Sequence, residues 1–199
     1  MTIVVPPMSA AMLARFQEGF ARAEAARVPE PTAMTLATVD EHARPSARTM
    51  LLKGVDTDGF VFYTNLESRK GRQLAGNPNV ALVFFWREIA EQVKVEGVVE
   101  PVTAAEADAY FASRPRGSQI GAWASKQSQS LESREVFDQR VAEVEARYRD
   151  REVPRPPHWS GFRVRPRRVE FWYGRQYRLH ERVRYEVIDG QWLESLLYP

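Results

Sequence analysis

The chain contains no cysteine. Disulfides, thiolate nucleophiles and zinc sites with cysteine ligands are excluded at once. Histidine is nearly as scarce: His42, His158 and His180 stand far apart, which argues against a histidine metal cage. An excess of one charge is also missing, because 28 Lys and Arg against 26 Asp and Glu leave a formal charge of +2. A dedicated nucleic-acid binder usually carries a basic stripe, so nucleic acid is not the expected partner. No run of about 18 apolar residues occurs, and no membrane span is expected. The opening MTIVVPPMSAAMLARFQEGF lacks the basic start and long apolar centre of a signal peptide, so a cytoplasmic protein is the expectation.

What is present suits a packed domain. Hydrophobic residues make up 44% of the 199 and aromatics 11%, enough for a core. Residues 1–30 read as a helical segment, with apolar positions at helical spacing over 8–27 and Ser9 as a candidate N-cap. From residue 31 to 199 the texture is that of a β domain with helical insertions. Short segments rich in β-branched and aromatic residues span 33–39, 47–55, 59–65, 80–86 and 91–102. Further strands are expected at FRVRP, RRVEFWY, ERVRYEVI and QWLESLL. Two helices interrupt them, over 103–114 with Thr103 and Glu106 at capping-box spacing, and over 130–150. VPRPPHW, 153–159, reads as a stiff connector. Eight or nine short strands with few long helices predict a mainly β protein, a closed antiparallel barrel with flanking helices.

Several constellations suit anions. In RTMLLK a strand would turn Arg48, Met50 and Leu52 to one face and Thr49, Leu51 and Lys53 to the other, with a cation at each end. YTNLESRKGRQ passes from strand to helix, and Ser68, Arg69 and Lys70 in the first turn suit a phosphate. A solvated basic helix face reads equally well there. Tyr110 and Arg114 share a helical face, Pro115 blocks simple continuation, and Ser118 must be placed by the turn that follows. Gln127 and Ser128, beyond Trp123, are candidates for a second anion. Arg178, His180 and Arg182 stand at period two, so on a strand they share one face. Trp172 reads as core or as the wall of a planar pocket. Several phosphate-like sites without an obvious nucleophile or metal imply a phosphorylated aromatic cofactor and a phosphorylated substrate.

PTAMTLATVDEHARPSARTMLLKG, GFVFYTNLESRKGRQ, YFASRPRGSQIGAWASKQSQ, VPRPPHWSGFRV and VEFWYGRQYRLHERVRY together resemble the pyridoxine/pyridoxamine 5′-phosphate oxidase family, from about Pro31 to Pro199. The resemblance implies an FMN-binding split β-barrel, a homodimer with two flavin sites between subunits. It implies oxidation of pyridoxamine or pyridoxine 5′-phosphate to pyridoxal 5′-phosphate, with molecular oxygen reoxidising the flavin. By motif, Arg48, Thr49, Met50, Leu51, Leu52 and Lys53 line the flavin, with Lys53 also near the substrate. Tyr63 and Thr64 contact the flavin, Arg69 and Lys70 hold its phosphate, and Gln92 reaches its ring system. Tyr110, Arg114 and Ser118 bind the substrate phosphate, while Gln127 and Ser128 serve FMN from the partner subunit. Trp172 and Arg182 complete the flavin site, and Arg178 and His180 face the substrate ring as the catalytic pair.

Many family members carry an N-terminal segment with arginine and tyrosine that covers the substrate. MTIVVPPMSAAML shows no such segment, so the resemblance does not extend to a lid of that kind. Two other readings stay open: a related oxidase of the phenazine-pathway type, and a protein that only stores or senses FMN or pyridoxal phosphate.

Overall fold

The computed structural model describes residues 5–199. It opens with helix α1, Ala10–Ala25, whose Ser9 accepts a hydrogen bond from the Met12 amide at 3.2 Å. Met12, Phe16 and Ala23 fall on one face of α1 and are buried. Phe16 meets Phe60 and Phe84 edge-on, at centroid separations of 5.1 and 5.3 Å. This helix therefore shares its core with the strands.

Nine strands form one antiparallel sheet: β1 Ala33–Val39, β2 Pro45–Leu51, β3 Gly54–Asp56, β4 Gly59–Asn65, β5 Asn79–Trp86, β6 Glu91–Pro101, β7 Trp159–Tyr173, β8 Glu181–Ile188 and β9 Gln191–Leu197. Their order is β2-β1-β5-β6-β7-β4-β3, with β8 on β7 and β9 on β8. Alternation is clean where one face meets solvent, as in β5, whose Val80, Leu82, Phe84 and Trp86 all point inward. Strand β4 is buried on nearly every residue instead. Phe60 and Phe62 fill the main core, while Val61 packs with Val102 and Ala107 beneath helix α3, Ala104–Ser113.

The expected closed barrel is corrected in one respect. The two ends of the ladder, β2 and β3, are joined by the chain through Leu52 and Lys53, not by a ladder between them. The sheet is a curled half-barrel. The single strand expected over 47–55 is therefore two, and FRVRP and RRVEFWY are one long strand, β7. That strand keeps β6 along most of its length but changes its other neighbour, β4 over Trp159–Val164 and β8 over Arg168–Tyr173. A register shift at Glu96/Gly97 marks the change.

The helices include α2, Arg69–Gly76, α4, Arg116–Ala124, and α5, Arg134–Arg147. Thr103 and Glu106 do form the capping box of α3. Helix α4 corrects the reading of a turn after Pro115: the proline is its N-cap and ends α3 without preventing a second helix. No helix among the described residues is long and apolar enough to cross a membrane.

Candidate active site

A cleft of about 490 Å³ opens between β2, β4 and helices α3 and α4. Thr49, Met50, Leu51 and Lys53 line one side, Tyr63 and Thr64 the floor, and Tyr110, Arg114, Ser118 and Gln127 the other side. Ten of the residues singled out in the sequence, from five separate segments, thus share one cavity. Leu52 does not reach it: it lies just beyond the end of β2 and is buried in the core.

One end of the cleft is a cationic cradle. Ser68 caps α2 through the Gly71 amide, which leaves Lys70 in the first turn. Lys70 is buried, and its ammonium donates only to neutral oxygens: Thr64 at 3.3 Å, Ser68 at 3.5 Å and Gln127 at 3.5 Å. Burial, and then the charge of Arg48, hold its pKa below the ordinary lysine value. Arg48 lies alongside, bonded to Thr38, Ser46, Gln73 and the Leu36 carbonyl, again all neutral. Its pKa is lowered by burial and by the charge of Arg69. Three cations face one another here with only neutral oxygens around the two inner ones, an arrangement that an anion would relieve.

Gln127 reaches Lys70 within the same chain. Expected to serve from the partner subunit, it stands beside its own chain's cradle. Asn65 ties that segment down through the Ser125 carbonyl at 3.4 Å. Ser128 is exposed in a left-handed conformation at φ 71°, and Arg69 is exposed at the start of α2.

The other end is aromatic. The rings of Tyr63 and Tyr110 stack at 4.0 Å and 12°, and Trp159 runs parallel to Tyr63 at 5.4 Å. Gly161 sits opposite Tyr63 in the ladder, where any Cβ would stand 2.6 Å from the ring, so only glycine leaves the stack its room. Arg114 caps α3, and burial lowers its pKa. Its Nη1 is buried without a hydrogen-bond partner among the described residues. Pro115 brings no side-chain cap to α4, and Ser118 in the first turn of that helix lines the cleft.

The remaining candidates form a second cluster. Gln92, Trp172 and Arg182 are register partners across β6, β7 and β8, so they stand in one row on one face. Arg182 donates to Glu170 at 2.8 Å and to the Tyr198 carbonyl at 2.9 Å. Glu170 is buried and also pairs with Lys94 at 3.3 Å. Burial works to raise its carboxyl, but the Arg182 hydrogen bond and the Lys94 charge outweigh it and hold the pKa below the ordinary value.

His180 packs on Trp172 at 4.6 Å, and its Nδ1 accepts from the Arg175 amide at 3.2 Å. The shared strand face expected for Arg178, His180 and Arg182 is corrected: β8 begins at Glu181. Arg178 ends a short 3₁₀ turn, Gln176–Arg178, and both it and Tyr177 have positive φ, 62° and 56°. It is exposed and stands on a bent loop.

Trp159, Asn65 and Ser125 line the cleft without having been singled out in the sequence. The only local signal was the aromatic closing the VPRPPHW connector.

The chain matches the family described as pyridoxamine 5′-phosphate oxidase over residues 20–148. Residues 159–199 match the pyridoxine 5′-phosphate oxidase C-terminal dimerisation region. A pyridoxine/pyridoxamine 5′-phosphate oxidase of Alkalilimnicola ehrlichii is 60% identical over 94% of this chain and 96% of its own. One of Myxococcus xanthus is 56% identical over 99% of this chain and 94% of its own. Among solved structures, PhzG from Burkholderia lata 383, in complex with tetrahydrophenazine-1-carboxylic acid, superposes with a TM-score of 0.89. It is 34% identical, covering 98% of this chain and 94% of that one. With a curled antiparallel sheet, a cationic cleft and both family segments in order, the chain belongs to the pyridoxamine 5′-phosphate oxidase family.

Proposed function

We propose that the chain oxidises pyridoxamine 5′-phosphate and pyridoxine 5′-phosphate to pyridoxal 5′-phosphate, with FMN as cofactor. The observation that carries this reading is a pair of cations at the two ends of one cleft, Lys70 buried and Arg114 half-buried. Lys70 has neutral partners only, and Arg114 has an unpartnered Nη1. A cofactor and a substrate that each end in a phosphate supply two anions for those two pockets.

The residues fit FMN. Lys70, Arg69, Arg48, Gln127 and Ser128 would hold its terminal phosphate, with Thr49 to Leu51, Lys53, Tyr63 and Thr64 along the rest. When bound, FMN supplies the acceptor for a hydride leaving the substrate's C4′, and oxygen takes those electrons to give hydrogen peroxide. The chain's own work is to bind and orient. Arg114, Ser118 and Tyr110 fix the substrate phosphate, and Lys53 stands near the substrate. Arg178 and His180 lie against the substrate ring and aim C4′; with the amine substrate, water then releases ammonia from the imine. Gln92, Trp172 and Arg182 complete the flavin site. The row they occupy lies apart from the cleft in its own chain, so a homodimer, each copy lending its row to the other's cleft, follows from this reading. A cytoplasmic setting is carried over with the family resemblance.

The test is aerobic turnover of FMN-loaded protein on pyridoxamine 5′-phosphate. Pyridoxal 5′-phosphate, ammonia and hydrogen peroxide are expected in equal amounts. A loaded protein that makes none of them overturns the reading and leaves storage or sensing. The likeness to the phenazine-binding structure supplies the second arm. Turnover of a reduced phenazine carboxylic acid, without turnover of the phosphorylated vitamer, replaces the substrate class.

A further inference from the structure

The half-buried Arg114 guanidinium is held differently from the chain's ion-paired arginines. It lies 4.8 Å from the Trp159 ring centre and 5.6 Å from that of Phe111. Burial lowers its pKa, so its environment does not compensate the charge. Other arginines of the chain are held by carboxylates, as Arg155 is by Asp108 at 2.6 Å and Arg163 by Asp56 and Glu106. A carboxylate occupies one edge of the guanidinium fork. A π face instead attracts the cation from above and takes up none of its in-plane N–H groups, although Nη1 is itself buried.

Trp159 is itself immobilised. It is 6% exposed, parallel to Tyr63 and edge-on to Phe111 at 5.1 Å and 70°. It stands at the first position of β7, paired with Asn65, and its carbonyl accepts from Arg155 at 2.8 Å. Ring, strand and carbonyl are all fixed before a ligand arrives.

We infer that Trp159 is a positioning residue that sets the selectivity for phosphorylated substrates, by holding Arg114 through its π face with no carboxylate on the fork. The inference rests on the proposed function for the identity of the substrate, but it concerns recognition of the phosphate and can be read by binding alone.

The test compares pyridoxal 5′-phosphate with pyridoxal, titrated calorimetrically into FMN-loaded protein, and pyridoxamine 5′-phosphate with pyridoxamine in turnover. Trp159→Leu is expected to weaken the phosphorylated ligand roughly tenfold, the scale of a desolvated cation–π contact, and to leave the unphosphorylated one within about twofold. KM for the phosphorylated substrate should rise while kcat at saturation and flavin content hold. Trp159→Phe should keep part of the preference. Equal losses for both ligands, or an unchanged preference, overturn the inference. Should Trp159→Leu fail to fold, tryptophans of increasing fluorination placed at position 159 preserve the shape and weaken only the π face. The phosphate preference should then fall stepwise with fluorination, and a flat series overturns the inference. If wild-type protein prefers the phosphorylated ligand yet turns over neither substrate, the proposed function fails and the role of Trp159 stands.

Discussion

The cleft and the strand row are both built from cations, but their charges are finished differently. In the row, Arg182 and Lys94 share the buried Glu170, and Arg168 pairs with Glu186 and Glu96. In the cleft, Lys70, Arg48 and Arg114 find neutral oxygens, π faces or nothing. A buried pair that is complete adds order to the fold, whereas an incomplete one stores a demand for a ligand. The contrast separates two jobs among residues the sequence groups together. Row residues are set in position by the protein, and cleft residues are left to be satisfied by what binds.

The largest effect that can break this division lies on the loop between β7 and β8. Arg178→Ala should lower kcat/KM roughly a hundredfold, about 3 kcal/mol of transition-state stabilisation, with flavin content retained. Arg182→Ala should instead weaken FMN, with added FMN restoring part of the activity. Flavin occupancy and turnover measured on each variant decide it; an empty Arg178→Ala and a full Arg182→Ala would reverse the assignment.

Next in size is the cradle itself. Lys70→Met should weaken FMN by roughly tenfold or more, the loss of one charge-assisted bond to phosphate of about 1.5–3 kcal/mol. The flavin-free protein should melt no lower and even somewhat higher, because the substitution removes a buried charge without a counterion. A lower melting temperature for that apoprotein would show Lys70 to be structurally satisfied.

Glu170→Gln should do the opposite. It leaves Arg182 and Lys94 short of a carboxylate and should destabilise the fold by about 2 kcal/mol, measured by denaturant unfolding. The native Glu170 pKa lies below its ordinary 4.5, so its contribution is complete above that pH and is lost as pH falls through the native value. The gap between wild type and Glu170→Gln should therefore close in acid.

The smallest effect sharpens the same contrast by titration. The flavin-free Lys70 has a lowered pKa, and a phosphate beside it would raise that value. FMN binding then takes up a proton between the flavin-free and the bound value, and affinity falls by at most about tenfold per pH unit as pH rises through the flavin-free value. The dependence should vanish in Lys70→Met, as a fluorescence titration across pH would report.

Much of this was legible along the chain. Strands β1, β4, β8 and β9 fall where the alternation and turn residues put them, because each signal is local. The start of α2 was readable for the same reason, as Ser68, Arg69 and Lys70 lie within one turn. What escaped depended on distant partners. Nothing near Trp159 says that it will lie under Arg114, since the contact joins β7 to the end of α3. The row of Gln92, Trp172 and Arg182 exists only through the register of three strands. Arg178 was misread as strand because Tyr177 and Arg178 take a left-handed bend that neither residue type favours.

Strand β7 carries Trp159 at one end and Trp172 near the other, with roughly 40 Å of extended backbone between them. Read genetically, that length separates two functions that can fail independently on one polypeptide. A chain with a ruined cleft, such as Arg114→Met, and a chain with a ruined row, such as Arg182→Ala, should complement when they pair. Random mixing of equal amounts makes about half the dimers mixed, each with one intact site, so about a quarter of all sites recover. A single chain carrying both lesions should behave in reverse: each site of its dimer with wild type would hold one lesion, and the defective allele should silence its healthy partner.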